Sequence, residues 1–79
     1  MNWREYIDER PDVLGGKPVF KGTRLGVQMI LEELAHGATE AQLLHSYPTL
    51  RPGHLKAAYE YAARVISLDD RLSVPEGAA

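Results

Sequence analysis

The sequence of 79 residues contains no cysteine, one tryptophan and one phenylalanine. Without cysteine, the chain has neither disulfide bonds nor thiolate ligands for zinc. No apolar run approaches the roughly 20 residues that span a bilayer, and the first residues, MNWREYIDER, lack the apolar core of a secretion signal. We therefore expect a soluble, cytoplasmic protein with a small core and no covalent cross-links.

Recognisable arrangements of catalytic residues are also lacking. The sequence has no Ser-His-Asp order, carboxylate dyad or nucleophile elbow, and Asp69 and Asp70 have no evident partner. The histidines His36, His45 and His54 are nine residues apart, which places successive side chains on opposite faces of a helix and is unlike the spacing of zinc ligands. The sequence therefore predicts no enzyme, no metal site and no cofactor.

The net charge is small, −2, from nine basic and eleven acidic residues. A dedicated nucleic-acid binder is usually basic, so the total argues against strong DNA binding by a single copy. The charges are unevenly distributed, however. Residues 14–28 carry three cations and no acidic residue, and residues 51–66 form a second net positive block. These blocks are compatible with local contact to phosphate or to an acidic protein.

Residues 6–25 predict a short β-hairpin. Short strand-like stretches alternate with turn-forming residues, among them Gly15-Gly16 and Lys21-Gly22. A ribbon of this size is not stable alone, so we expect it to pack against the elements that follow.

Three amphipathic segments follow the hairpin. The predicted helices occupy residues 27–36, 40–46 and 52–66. The first has apolar residues at i, i+3, i+4 and i+7 and ends before Gly37, which suits the left-handed position after a helix. The second follows Thr39, three residues before Gln42, which is the spacing of a capping box. The third begins at Pro52, whose missing N–H costs nothing at a helix start.

The pattern as a whole predicts one mainly α-helical domain over residues 1–66 and a C-terminal tail over residues 67–79. Three helices behind a hairpin match the homeodomain-like helix-turn-helix plan. A chain this short buries a limited core, so we expect a homodimer.

Taken together, these segments resemble a bacterial family, the domain of unknown function 433. The resemblance covers roughly residues 3–65: IDERPDVLGGKPVFKGTRLGV, a helix ending in AHG, then ATEAQLLHSYPTL, and a last helix containing AAYEYA. The hairpin positions that match are Gly16, Lys17, Pro18, Gly22, Thr23 and Arg24. The resemblance implies a homeodomain-like helix-turn-helix fold, a role as a VapB-like antitoxin and a PIN-like ribonuclease toxin as partner.

Two departures from the family pattern affect the starts of helices. Gly26 stands where proline is common and loosens the start of the first helix. Arg51 and Pro52 stand where the family usually has a capping Ser or Thr and an apolar residue, which alters the chemistry at the start of the third helix.

The stretch GGKPVFKGTR contains the first group of candidate site residues. Its glycine spacing is wrong for a phosphate-binding P-loop, and Pro18 removes an amide from it. Turn geometry explains the glycines but does not require the three cations Lys17, Lys21 and Arg24. They are either a solvated hairpin edge kept from pairing by charge or a contact for an anionic partner. Arg24 is the main candidate, because a guanidinium binds carboxylate or phosphate through two parallel hydrogen bonds.

The third helix carries the second group of candidate residues. In a helix-turn-helix protein, early residues of this helix contact bases and neighbouring cations contact phosphates. Arg51, His54, Lys56 and Arg64 occupy those positions. The alternative is a solvated face opposite the apolar stripe that runs from Leu55 to Ile66.

The sequence thus leaves three functions open. The first is an antitoxin that neutralises a PIN-like ribonuclease and, as a complex, binds DNA. The second is a stand-alone helix-turn-helix DNA-binding regulator, and the third is a non-catalytic dimerisation module.

Overall fold

The computed structural model describes residues 2–68. In chain order, the elements are a 3-10 turn at Trp3–Glu5, β1 at Ile7–Asp8, a second 3-10 turn at Leu14–Gly16, β2 at Val19–Phe20, α1 at Val27–Ala35, α2 at Glu40–Ser46 and α3 at Pro52–Leu68. The predicted fold, mainly helical with a short N-terminal hairpin, is confirmed. The predicted tail at residues 67–79 overlaps the end of α3, and residues 69–79 lie outside the described part of the chain.

The two strands of the hairpin are antiparallel, with Ile7 opposite Phe20 and Asp8 opposite Val19. A further bridge joins Val19 to Gly26, just before α1. Val19 and Phe20 are completely buried. Strands of two residues are too short to be stable through their hydrogen bonds alone, so these side chains hold the hairpin against the helices.

The corner after β2 is closed by the side chain of Thr23. Its Oγ1 donates a hydrogen bond to the Phe20 carbonyl at 2.8 Å and accepts one from the Leu25 N–H at 3.0 Å. Gly22 supplies the positive φ, 79°, that the corner needs. Thr23 is itself buried, so the backbone that leads to Arg24 is held on both sides.

The ends of α1 and α2 follow the local signals in the sequence. Gly37 adopts a φ of 105° after α1, and the Gly37 and Ala38 amides donate to carbonyls in the last turn of that helix. At the start of α2, the Gln42 amide donates to Thr39 Oγ1 at 3.1 Å, and the Thr39 amide donates to Gln42 Oε1 at 2.8 Å. Helix α1 ends at Ala35, one residue before the predicted end at 36, and α2 begins at Glu40.

One core joins the hairpin to all three helices. Its buried members are Ile7, Phe20, Val27, Ile30, Leu43, Leu50, Leu55, Ala57 and Ala58. The N-terminal turn is attached to α3 through an edge-to-face contact between Trp3 and Tyr61, with ring centres 4.8 Å apart. Among residues 2–68, no helix combines the length and apolar character that crossing a membrane requires.

Candidate partner-binding site

The three hairpin cations lie on the surface. Lys17, Lys21 and Arg24 are all exposed. Within residues 2–68 the one ion pair joins Arg10 to Asp8, with a separation of 3.6 Å. Within this part of the chain, none of the three hairpin cations forms an ion pair with a carboxylate.

The structure divides these cations between two places. Lys17 and Arg24 line a groove of about 820 Å³ between the hairpin and α1, together with the apolar side chains of Leu14, Leu25 and Met29. Lys21 does not line this groove. Its backbone amide donates to the Tyr6 carbonyl at 2.8 Å, and its carbonyl accepts from His54 near the start of α3. Sequence reasoning grouped the three cations, and the fold pairs only two of them in the groove.

An exposed leucine projects at the edge of this groove. Leu14 is 53% exposed and Met29 is 41% exposed. Leu14 also has a positive φ, 49°, in a region that costs a non-glycine residue about 1–2 kcal/mol. A Cβ on Gly26 would lie 3.0 Å from Leu14 Cδ1, so the glycine leaves room for the leucine side chain. Sequence reasoning did not select Leu14, because neither its backbone conformation nor its neighbour across the turn can be recognised from spacing.

The other end of the groove is acidic. Glu32 and Glu33 of α1 line it, near Tyr47 from the end of α2. The Tyr47 hydroxyl donates to both carboxylate oxygens of Glu33, at 3.0 and 3.2 Å. This hydrogen bond raises the pKa of Tyr47, with burial adding to the effect. Gln28 in turn donates to Glu32 at 2.8 Å. The later turns of α1 therefore add two carboxylates, both hydrogen-bonded within the chain, to a groove that Lys17, Arg24 and His36 also line.

His54 has a structural position rather than the DNA-facing one expected from the sequence. It is 7% exposed, and the Arg51 amide donates to its Nδ1 at 2.9 Å. Since Nδ1 accepts, Nε2 carries the ring proton and donates to the Lys21 carbonyl at 3.2 Å. Burial lowers the pKa of His54. The imidazole thus caps α3 and attaches it to the hairpin, which corrects the expectation of a base contact.

The remaining cations of α3 lie on its outer surface. Arg51, Lys56 and Arg64 are exposed and have no ion-pair partner among residues 2–68. Glu60 is exposed on the same helix, and the Tyr59 hydroxyl donates to Glu40 of α2 at 2.8 Å. The outer face of α3 therefore has mixed charge. In the described part of the chain, His, Asp and Glu side chains do not gather in groups of three that could hold a metal ion.

Comparison with known proteins assigns a family to this fold. The family model described as "Protein of unknown function (DUF433)" matches residues 7–62. The chain is 36% identical over 59 residues to "Uncharacterized protein y4eO" of Sinorhizobium fredii (strain NBRC 101917 / NGR234). The aligned region covers 75% of this chain and 27% of that protein. It is 32% identical to the chain in the crystal structure of a DUF433 member protein from Anabaena variabilis ATCC 29413, with a TM-score of 0.72, over 82% of this chain and 64% of the other.

The chain spans about a quarter of the length of the Sinorhizobium relative and just under two thirds of the Anabaena chain. The family match extends from the first strand into the second half of α3, and it includes both sides of the groove. On this evidence, the chain belongs to the DUF433 family.

Proposed function

We propose that this protein is an antitoxin-like component of a bacterial type II toxin–antitoxin pair, in which it neutralises a PIN-like ribonuclease. The observation that carries the proposal is the pair of exposed cations, Lys17 and Arg24, which lie in one groove without a carboxylate partner in residues 2–68. The proposed role is non-catalytic and belongs in the cytoplasm, where such a toxin would act. We expect the protein to act as a homodimer with a homeodomain-like helix-turn-helix arrangement.

The proposed mechanism is electrostatic. A ribonuclease of this type gathers carboxylates around Mg²⁺, so its active site is acidic whenever the metal is absent. A guanidinium entering that site forms two hydrogen bonds with a carboxylate and competes with both the metal and the RNA. Arg24 suits this role because Thr23, its neighbour, is fixed by two hydrogen bonds, so little backbone flexibility is lost on binding.

The experiment is co-purification with the nuclease encoded by the neighbouring reading frame, followed by an RNA-cleavage assay. We expect the Lys17→Glu, Arg24→Glu double variant to lose inhibition by at least about 30-fold, since breaking a buried interface charge pair costs about 2–5 kcal/mol. Lys21→Glu is the matched control for each of the two single changes, because it also reverses one positive charge on the same hairpin but lies outside the groove. Inhibition that is unchanged in the double variant would refute this mechanism.

A second candidate function is DNA binding through α3. The observation in its favour is that Arg51, Lys56 and Arg64 are exposed and unpaired within residues 2–68. In this case, affinity decreases steeply with salt, and Lys56→Ala weakens binding by a similar factor on every sequence. A gel-shift assay with the isolated protein tests both points. Absent or salt-independent binding excludes a stand-alone regulator.

A third function, dimerisation alone, is tested by light scattering at micromolar concentration. A dimer is the expected result, because the chain is short and exposes Val65 and Ile66 near the end of α3. A monomer would exclude the dimerisation module and would remove the homodimer from the antitoxin proposal.

A further inference from the structure

We propose that the groove between the hairpin and α1 binds a short segment of the partner that carries an acidic side chain close to a large apolar one. The inference rests on the proposed function, since the segment would belong to the neutralised nuclease. It goes further than the proposed function because it assigns a second role to the groove. Leu14 and Met29 would contact an apolar side chain of the partner, while Lys17 and Arg24 bind its carboxylate.

The charges along the groove determine which end of the segment is acidic. Lys17 and Arg24 have no carboxylate partner within residues 2–68, so a carboxylate from outside gains both cations without breaking an existing ion pair. At the other end, Glu32 and Glu33 repel a second carboxylate. A segment with acid at one end and a neutral or basic group at the other matches this pattern.

Apolar side chains line the same groove. Leu14 and Met29 are two of the six large apolar side chains that are strongly exposed among residues 2–68. Leu14 remains half exposed although its backbone is held in a conformation that favours glycine or asparagine. The fold therefore does not require a leucine at this turn. An apolar contact to a partner would explain why a leucine is present.

The groove has the length of a short peptide segment. Its wall along α1 extends from Gln28 to His36, the residue that follows the helix, and these eight steps span about 12 Å along a helix axis. An extended chain covers that distance with about four residues. The acidic and apolar side chains of the segment are thus expected within about four positions of each other.

The test is selection of a phage-displayed library of random 12-residue peptides on the purified full-length protein. We expect enrichment of peptides in which Asp or Glu lies within about four positions of Leu, Ile, Met or Phe. Binding of the enriched peptides should decrease at least tenfold with Arg24→Glu and with Leu14→Asn, and should be retained with Lys21→Glu.

Leu14→Asn is informative because asparagine tolerates a positive φ, so the variant is expected to fold with an unchanged or higher melting temperature. Met29→Gln is the second variant, because it removes an exposed apolar side chain from a helix. The inference is overturned if no peptide is enriched or if the enriched peptides lack acidic residues. It is also overturned if peptide binding survives Arg24→Glu, or if it survives Leu14→Asn and Met29→Gln alike.

This selection does not involve the nuclease, so the two proposals can fail separately. Acidic–apolar peptides that bind the groove, with no effect of the protein on the neighbouring nuclease, would support the groove and refute the antitoxin role. Conversely, nuclease inhibition that is lost with Lys17→Glu, Arg24→Glu but unchanged with Leu14→Asn and Met29→Gln would retain the antitoxin role and overturn the apolar part of the groove.

Discussion

His54 offers the most direct test of how the hairpin is attached to α3. The proposed change is His54→Leu, which keeps a side chain of similar size in the core but removes both ring nitrogens. The Arg51 amide at the start of α3 then loses its acceptor, and the Lys21 carbonyl loses its donor. A buried polar group without a partner costs about 1–3 kcal/mol.

The expected loss of stability is about 2 kcal/mol, because Arg51 is exposed and water replaces part of its lost hydrogen bond. For a domain of this size, a loss of 1 kcal/mol lowers the melting temperature by about 4–8 °C. We therefore expect the melting temperature of His54→Leu at pH 7.5 to be about 8–16 °C below that of the wild type. Circular dichroism at 222 nm measures it.

The same residue makes stability depend on pH. Burial holds the folded-state pKa of His54 below its ordinary value of 6.5, so the unfolded chain binds the proton more readily. The stabilisation is complete above pH 6.5 and decreases as the pH falls below that value toward the lowered pKa. Protonation also gives Nδ1 a hydrogen that faces the Arg51 amide. The positive charge of Arg51 also lowers the pKa of His54, whereas the hydrogen bond to the Lys21 carbonyl opposes the shift. The Tyr6 and Phe20 rings lie against the imidazole.

Melting curves at pH 7.5 and pH 5.0 test this account. The wild type should lose more stability between the two values than His54→Leu does. His45→Leu is the control, because it removes an exposed histidine of α2 and should keep the wild-type pH dependence. Equal pH dependence in the wild type and His54→Leu would refute the assignment of a buried neutral imidazole.

Three further substitutions test the local interactions, each by thermal unfolding. Thr23→Val keeps the shape of the side chain but removes the hydroxyl that bonds Phe20 and Leu25, so we expect a loss of about 1–3 kcal/mol, and no loss would contradict the role of the corner. Thr39→Ala removes the cap of α2 and should cost about 1 kcal/mol, whereas an unchanged melting temperature would show that the capping box does not contribute. Gly53→Ala should destabilise by about 1–3 kcal/mol, because its Cβ would lie 2.7 Å from the Tyr6 ring; the usual gain from alanine in a helix would contradict this packing.

The starts of α2 and α3 and the glycine after α1 could be recognised in the sequence because their causes are local, whereas α3 extends past its predicted end at residue 66. Gly37 ends α1, the Thr39–Gln42 pair caps α2 and Pro52 begins α3, each within a few residues of the backbone groups that it affects. The mainly helical fold with its hairpin follows from the same short-range patterns. The exposure of Arg24 could also be anticipated, since an arginine without an acidic neighbour in the turn has no local reason to be buried.

The grouping of side chains into a site was decided only by the tertiary structure. Lys17 and Lys21 are close in sequence, yet the packing of Phe20 into the core places one in the groove beside Arg24 and the other near the start of α3. His54 is buried because it packs against the hairpin, whose Lys21 carbonyl, 33 residues earlier in the chain, it binds. Sequence spacing determines which residues share a helix face, but contacts between distant segments depend on how the hairpin and helices pack around a common core.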